Sequence, residues 1–189
     1  EDASSIRREL NVSLMLPLSI ETGLALYKGQ QATPNASGAA NDQNQGLGGA
    51  LWARYHLIQS DNLSSSVLVQ FEPGTADRQS FHQASKDRTS LAFHVDGSPF
   101  AYTQAGLFVG GTSHKNESFQ RSQLKSELLY GTRLSIGVES LQIFGESQFR
   151  TLPWTAENGM TDTEASRQYE SGLAIKYANI GFQASTYLP

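Results

Sequence analysis

The chain has 189 residues, a formal net charge of −4, 38% hydrophobic residues and no Cys. This length suffices for one domain, and we predict a single domain over residues 1–189 with an N-terminal extension at residues 1–8. The absence of Cys excludes disulfides and thiolate metal sites. The negative net charge provides no basic surface of the kind that binds nucleic acid. No apolar run is long enough for a transmembrane helix. No phosphate-binding glycine loop, His–Glu metal motif or nucleophile elbow is present, so we expect no cofactor and no metal.

Apolar and polar residues alternate along almost the whole chain, and this period of two is typical of β-strands. In residues 10–27, for example, Leu10, Leu14 and Leu26 share one parity, whereas Asn11 and Glu21 share the other. In chain order, the alternation predicts strands within residues 10–16, 20–27, 46–58, 63–72, 89–96, 100–110, 123–138, 141–150, 168–177 and 180–188.

The connections between these segments are alternately short and long. Short turns are predicted near Pro17, Ser60, Gly97, Glu139 and Asn179, and long polar loops are predicted over residues 28–45, 73–87, 111–120 and 152–165. Strict alternation of this kind predicts an up-and-down antiparallel meander with tight turns at one end and long loops at the other.

The two faces of the predicted strands differ in charge, and the polar face would line a lumen if the sheet closes into a barrel. Acids and bases are nearly balanced on it, as paired charges in a lumen require. The predicted lumen-lining residues, which are also candidate selectivity residues, are Glu21, Arg54, His56, Glu72, His94, Asp96, Lys125, Glu127, Arg133, Glu146, Arg150, Glu170 and Lys176.

The apolar face carries almost no charge, and three features favour contact with lipid. The strands match the roughly 9–11 residues that cross a bilayer on a tilt, the loops alternate as in outer-membrane barrels, and aromatic residues lie near strand ends as in an interfacial girdle. The girdle candidates are Tyr27, Tyr55, Phe71, Phe149, Tyr169 and Tyr177. The predicted lipid-facing residues are Leu10, Val12, Leu14, Leu51, Val67, Val69, Leu91, Phe93, Leu128, Leu134, Ile143, Leu173, Ile175 and Phe182.

Over residues 9–188, the pattern resembles that of the small bacterial outer-membrane β-barrel proteins in their mature form, although it identifies no subfamily. The resemblance implies an all-β fold, a single up-and-down antiparallel transmembrane β-barrel, in the bacterial outer membrane. It also implies membrane lipid and lipopolysaccharide as partners and small solutes as candidate ligands. Residues 1–10 have no apolar signal-peptide segment, as expected of an exported mature chain. Such proteins usually end on an aromatic residue, whereas this chain ends on Pro189.

The number of strands depends on two turns. If residues 17–19 and 178–179 are turns, the barrel has ten strands, and both ends of the chain lie at the end with the long loops. A two-residue turn exchanges the parity of the two faces, as between Tyr177 and Ile180, whereas Leu16 to Ile20 keeps the parity and so requires a loop of three residues. The alternative is eight strands with a bulge near Asn179. We predict ten.

Three functions are compatible with this pattern. The first is a narrow channel or porin for small solutes, or a structural surface protein, on a barrel without enzyme activity. The second is a lipid hydrolase on the same fold, which would need a Ser within hydrogen-bonding reach of His56, His94 or His114. The third is a soluble β-barrel or sandwich that binds a ligand and buries its apolar face. The His-x-Ser-Asn arrangement of outer-membrane deacylases is absent, so we expect no enzyme activity.

Overall fold

The computed structural model of the chain describes residues 4–34, 40–74, 87–114, 118–119, 122–124, 126–138, 140–155 and 161–188. These residues form twelve strands and no helix. Accordingly, the described part of the chain contains no helix that is long and apolar enough to cross a membrane. The strands are β1 (Ser4–Leu16), β2 (Ile20–Pro34), β3 (Ala40–Gln59), β4 (Leu63–Glu72), β5 (Arg88–Phe100), β6 (Thr103–His114), β7 (Ser118–Phe119), β8 (Ser122–Leu124), β9 (Glu127–Val138), β10 (Leu141–Thr155), β11 (Thr161–Tyr177) and β12 (Ile180–Leu188).

Ten of these strands close into an antiparallel barrel, which confirms the predicted number. Each long strand pairs with its neighbours in the chain, and β1 pairs with both β2 and β12, so that Leu10 lies opposite Leu26 and Ala184. The short strands β7 and β8 form a hairpin beside the end of β10. The eight-strand alternative is wrong because the turns at residues 17–19 and 178–179 both form.

The tight turns follow the parity argument at two of the positions. Leu16 pairs with Ile20 across a three-residue turn in which Leu18 and Ser19 have left-handed φ values of 65° and 59°. Tyr177 pairs with Ile180 across a two-residue turn, where the φ of Ala178 is 50°. A three-residue turn keeps the parity and a two-residue turn exchanges it, so the same face of each strand continues around the barrel.

The turn predicted near Gly97 lies further along the chain, at residues 101–102. Strand β5 continues to Phe100 through an irregularity between Gly97 and Phe100. Pro99 falls within this irregularity, where its missing N–H interrupts no ladder. The neighbouring Ser98 N–H donates instead to the carbonyl of Asn62, at 3.0 Å.

Three loop predictions and the N-terminal extension were also wrong in extent. The connection predicted to begin at residue 111 begins later, because β6 stays paired with β5 as far as His114 opposite Arg88. Strands β2 and β3 stay paired well beyond Lys28, as far as Thr33 opposite Asp42, and β10 and β11 stay paired to Thr155 opposite Thr161. Strand β1 begins at Ser4, so residues 4–8 belong to the barrel rather than to an extension. The segments that extend β2 and β3 are rich in Gln, Asn and Asp, and a paired strand that contacts no apolar phase shows no hydrophobic alternation.

The outer face of the barrel is apolar and the interior holds the polar residues. Outward side chains are substantially exposed, with Ile143 at 67% and Leu51 at 59%, whereas the inward Ala25 and Phe144 are each 2% exposed. All fourteen predicted lipid-facing side chains lie on this outer face by strand parity. Their contact with lipid stays a prediction. Tyr27, predicted as a girdle residue, instead lies inside at 3% exposure.

Four inward aromatic rings each lie over a glycine that is the direct partner on the neighbouring strand. The pairs are Trp52 with Gly23, Tyr27 with Gly48, Phe108 with Gly131, and Phe144 with Gly172. A Cβ on any of these glycines would overlap the ring. A ring that lies flat along the wall fills less of the lumen than one that points toward the axis, so these pairs keep space open.

Replacement of Gly131 with Ala should therefore destabilise the barrel. The added Cβ would meet both the ring of Phe108 and the carbonyl of Ser147, and overpacking of this kind typically costs about 1–3 kcal/mol. Gly145→Ala is the matched control, because the only atom near its added Cβ is the carbonyl oxygen of Glu170 at 4.0 Å. The measurement is denaturant unfolding of both variants in detergent. Equal stability of the two would contradict a packing role for the glycine.

Candidate functional site

One cavity of about 1820 Å³ runs inside the barrel. At the end with the tight turns, it is lined by residues 59–63 and 98–104. Toward the other end, it is lined by Arg88, Thr112 and Arg150. The same void therefore reaches residues at both ends of the barrel. Its wall combines inward polar residues with apolar ones such as Trp52, Phe108 and Leu129.

The predicted lumen residues line this cavity, with two exceptions. Lys125 lies outside the described residues. His56 points inward beside Glu21 but does not line the cavity. The others line it: Glu21, Arg54, Glu72, His94, Asp96, Glu127, Arg133, Glu146, Arg150, Glu170 and Lys176. Their role in selectivity stays a prediction.

A row of directly paired inward residues crosses five strands and brings several of these charges together. Arg133 on β9 lies opposite Glu146 on β10, which lies opposite Glu170 on β11. Glu170 in turn lies opposite Tyr187, and Tyr187 opposite Arg7. The adjacent carboxylates of Glu146 and Glu170 thus lie near Arg133, which acts electrostatically on both and reduces their mutual repulsion.

A second arginine approaches the lumen from the opposite wall. Arg54 on β3 lies 3.9 Å from the carboxylate of Glu21, and His56 lies 3.7 Å from the same group. Arg133 on β9, Asp96 on β5 and Glu146 on β10 also act electrostatically on Arg54. The barrel therefore gathers charges of both signs, from strands distant in the chain, around the middle of its lumen.

Further pairs lie toward the end with the long connections. Arg150 is 3.6 Å from Glu127, and the hydroxyl of Tyr27 donates to the carboxylate of Glu72. Arg7 forms a 2.6 Å ion pair with Glu9, and its guanidinium lies 3.8 Å from the centre of the Tyr27 ring. These contacts fix long side chains against the wall, so their charges are held in place rather than moving freely in the lumen.

Sequence reasoning missed several inward residues. Arg7 and Glu9 were overlooked because residues 1–8 were taken as an extension and the first strand was predicted to begin at Leu10. The parity of Tyr27 with Glu21 and Ala25 would have placed it inside. Phe108, Leu129 and Phe144 are apolar and buried on the lumen face, where the rule of polar residues inside gives no signal. A glycine at the paired position of the next strand is the one local signal for the two phenylalanines.

A lipid hydrolase would need a Ser within hydrogen-bonding reach of one of the histidines, and the described residues show no such hydrogen bond. Ser66 is the direct strand partner of both His56 and His94. However, the Nε2 atoms of both histidines are buried and make no hydrogen bond, and the ring of His94 stacks on Phe108 at 5.3 Å between centroids. The side chain of His114 lies outside the described residues. The described residues also contain no cluster of three His, Cys, Asp or Glu that could hold a metal.

No protein-family model and no curated protein matches the chain. Among solved structures, the outer membrane transporter YddB from Escherichia coli aligns over 96% of this chain and 33% of its own, with 12% identity and a TM-score of 0.35. The outer membrane protease OmpT from Escherichia coli aligns over 99% of this chain and 95% of its own, with 8% identity and a TM-score of 0.38.

A third solved structure, the beta domain of the Bordetella autotransporter Brka, aligns over 100% of this chain and 99% of its own, with 10% identity and a TM-score of 0.25. The chain spans about one third of the length of the transporter that it matches. Similarity at this level identifies no family for the chain.

Proposed function

We propose that this barrel spans the outer membrane of a Gram-negative bacterium and forms a narrow, water-filled channel for small hydrophilic solutes. One observation carries the proposal. One cavity, lined in part by charges of both signs, reaches residues at both ends of a closed barrel whose outer face is apolar.

The exposed apolar surface supports the membrane position. Side chains such as Leu134, Ile136 and Leu173 are 40–59% exposed, and similar residues continue around all ten strands. Soluble monomers rarely expose contiguous apolar patches larger than a few hundred Å², because such surface drives association in water. In a bilayer the same surface is favourable, and the closed ladder leaves no unpaired strand edge in hydrocarbon. A soluble ligand binder would have to bury this face.

The lumen supports the channel. Charged side chains such as Arg54 and Arg133 are costly to remove from water, so a lumen that contains them favours hydration. Small inward residues, including Ala25, Ala92 and Ala174, leave room between the strands. We place the long connections on the outer side of the membrane, as in outer-membrane barrels generally.

The first test is whether the chain folds as a membrane barrel. The refolded chain should migrate differently on a gel when unheated and when boiled, and it should do so only if it was refolded with detergent. A monomer that is β-folded in plain buffer and shows no shift would exclude the membrane barrel.

The second test is conductance of the refolded chain in planar bilayers of phosphatidylcholine. Discrete conductance steps in KCl are expected, with ions and small neutral solutes passing and larger sugars excluded. A barrel that shows the gel shift but conducts no ions would exclude the channel and leave a structural surface role.

A further inference from the structure

The outer face carries a cluster of one cation and three aromatic rings where the apolar surface ends. Arg167, Phe149 and Tyr130 form a row of direct partners across β11, β10 and β9. Tyr169 is the next outward residue of β11. We call these four residues the rim cluster.

The guanidinium of Arg167 is held in a defined position. Its Cζ lies 4.9 Å from the centre of the Phe149 ring and 4.6 Å from that of Tyr169. Its Nε donates to the hydroxyl of Ser147 at 3.2 Å. The Tyr130 ring stacks on Phe149 at 5.4 Å, which holds the platform beneath the cation. Although Arg167 also borders the mouth of the cavity, all of these partners lie on the outward parity.

The free donors of this guanidinium point to an anionic ligand. An arginine has five N–H donors, and one of them is used by Ser147. No other described residue accepts a hydrogen bond from Arg167, so its terminal nitrogens keep a fork of donors available. Such a fork matches the geometry of a phosphate, to which arginine binds through two parallel hydrogen bonds.

The position of the cluster identifies the kind of phosphate. On β11 the outward residues Tyr177, Ile175, Leu173 and Tyr169 belong to the apolar surface, and Arg167 follows at the side of the long connections. In a bilayer this level is the boundary between acyl chains and headgroups, where aromatic rings are also favoured. A lipid whose acyl chains lie along this surface would therefore bring its headgroup phosphate to Arg167.

We propose that the rim cluster is a binding site for the phosphate of an outer-leaflet lipid of the lipid A type, with Arg167 as the phosphate ligand and the rings as its support. The site rests on the proposed position of the barrel in the membrane. It is separate from the lumen, so the channel can conduct whether or not the lipid is bound.

The experiment measures lipid binding by the refolded chain in uncharged detergent, with native mass spectrometry as the readout. The probes are diphosphorylated lipid A, the same lipid after removal of both phosphates, and phosphatidylglycerol. Inorganic phosphate in excess serves as a competitor and should displace little lipid A. The wild type should bind one lipid A more tightly than either other lipid.

Matched variants distinguish a specific phosphate site from non-specific electrostatic attraction between the lipid and the barrel surface. Arg167→Gln should weaken lipid A binding roughly tenfold or more, since charge-assisted hydrogen bonds are lost. Arg8→Gln removes another exposed outward cation, opposite Lys28, and should change binding by less than about threefold. Arg167→Lys keeps the positive charge but loses the paired N–H donors. Its loss of lipid A binding should therefore lie between the losses of Arg8→Gln and Arg167→Gln.

The outcomes are distinguishable from those of the channel proposal. Equal losses in Arg167→Gln and Arg8→Gln, equal binding of lipid A without phosphates, or equal binding of phosphatidylglycerol would each overturn the site. If the chain conducts in phosphatidylcholine bilayers but shows no preference for lipid A, the channel proposal stands and the lipid site is wrong. If the chain does not fold as a membrane barrel, both proposals fall.

Discussion

Leu134→Arg should lower the free energy of unfolding from a bilayer by about 2–4 kcal/mol, whereas Leu128→Arg should lower it by roughly 0–1 kcal/mol. Both leucines lie on the outer face of β9 and both are 50% exposed. They differ in depth, because Leu134 lies among the outward apolar residues of β9 and Leu128 lies near the end of the strand. Burying an arginine costs most at the centre of the hydrocarbon and little at its edge. Denaturant unfolding in lipid vesicles measures both values.

This pair of variants carries its own control. In water, two leucines of equal exposure on one strand should tolerate arginine equally well, so a difference between the variants arises only if the barrel lies in a layered medium. Equal, small costs at both positions would contradict the membrane position. Equal, large costs would show that the outer face packs against protein instead.

Arg133→Gln should shift the selectivity of the channel toward cations by at least about threefold, equivalent to roughly 0.6 kcal/mol. Arg133 is the direct partner of Glu146, and Glu170 follows on the next strand. Loss of the arginine leaves these carboxylates without their neighbouring positive charge, so the lumen attracts cations more strongly. The reversal potential in a KCl gradient measures the shift, which should be larger at low salt because screening is weaker.

Two further variants make this test specific to the lumen. Arg133→Gln combined with Glu146→Gln removes one charge of each sign and should restore selectivity close to that of the wild type. Arg8→Gln removes one positive charge from the outer face and should leave the reversal potential unchanged. Since a change of charge inside the barrel can destabilise it, each variant must first show the gel shift of the folded barrel. An unchanged reversal potential in folded Arg133→Gln would contradict a role for this row in ion passage.

The sequence was informative about the strands and their faces because hydrophobic alternation is a local property. The parity change from Tyr177 to Ile180 and the unchanged parity from Leu16 to Ile20 were sufficient to predict two turns and ten strands. The same reasoning did not predict the paired polar extensions of β2 and β3 beyond Lys28, because strands that stand in water on both faces need no apolar residues.

The candidate site was predictable only as a set of inward charges. That Arg133 lies beside Glu146 follows from one hairpin, and a sequence register could have suggested it. That the same row continues through Glu170 and Tyr187 to Arg7 depends on β12 closing onto β1. The rim cluster likewise combines residues from three strands, and Arg167 gave no signal in the sequence because it lies between a polar segment and the start of an apolar alternation, as many loop cations do.

The sequence by itself therefore determined that this protein is an all-β meander with one apolar face and one charged face, since both properties depend on neighbours two residues apart. Only the tertiary structure decided which charges meet, which rings lie flat over glycines, and that one cavity reaches both ends of the barrel. The physical reason is the stagger of the closed sheet. If directly paired residues are followed from strand to strand around the barrel, a row that starts at Gln59 on β3 returns to the same strand at Gly46. No local pattern in the chain specifies this displacement along β3.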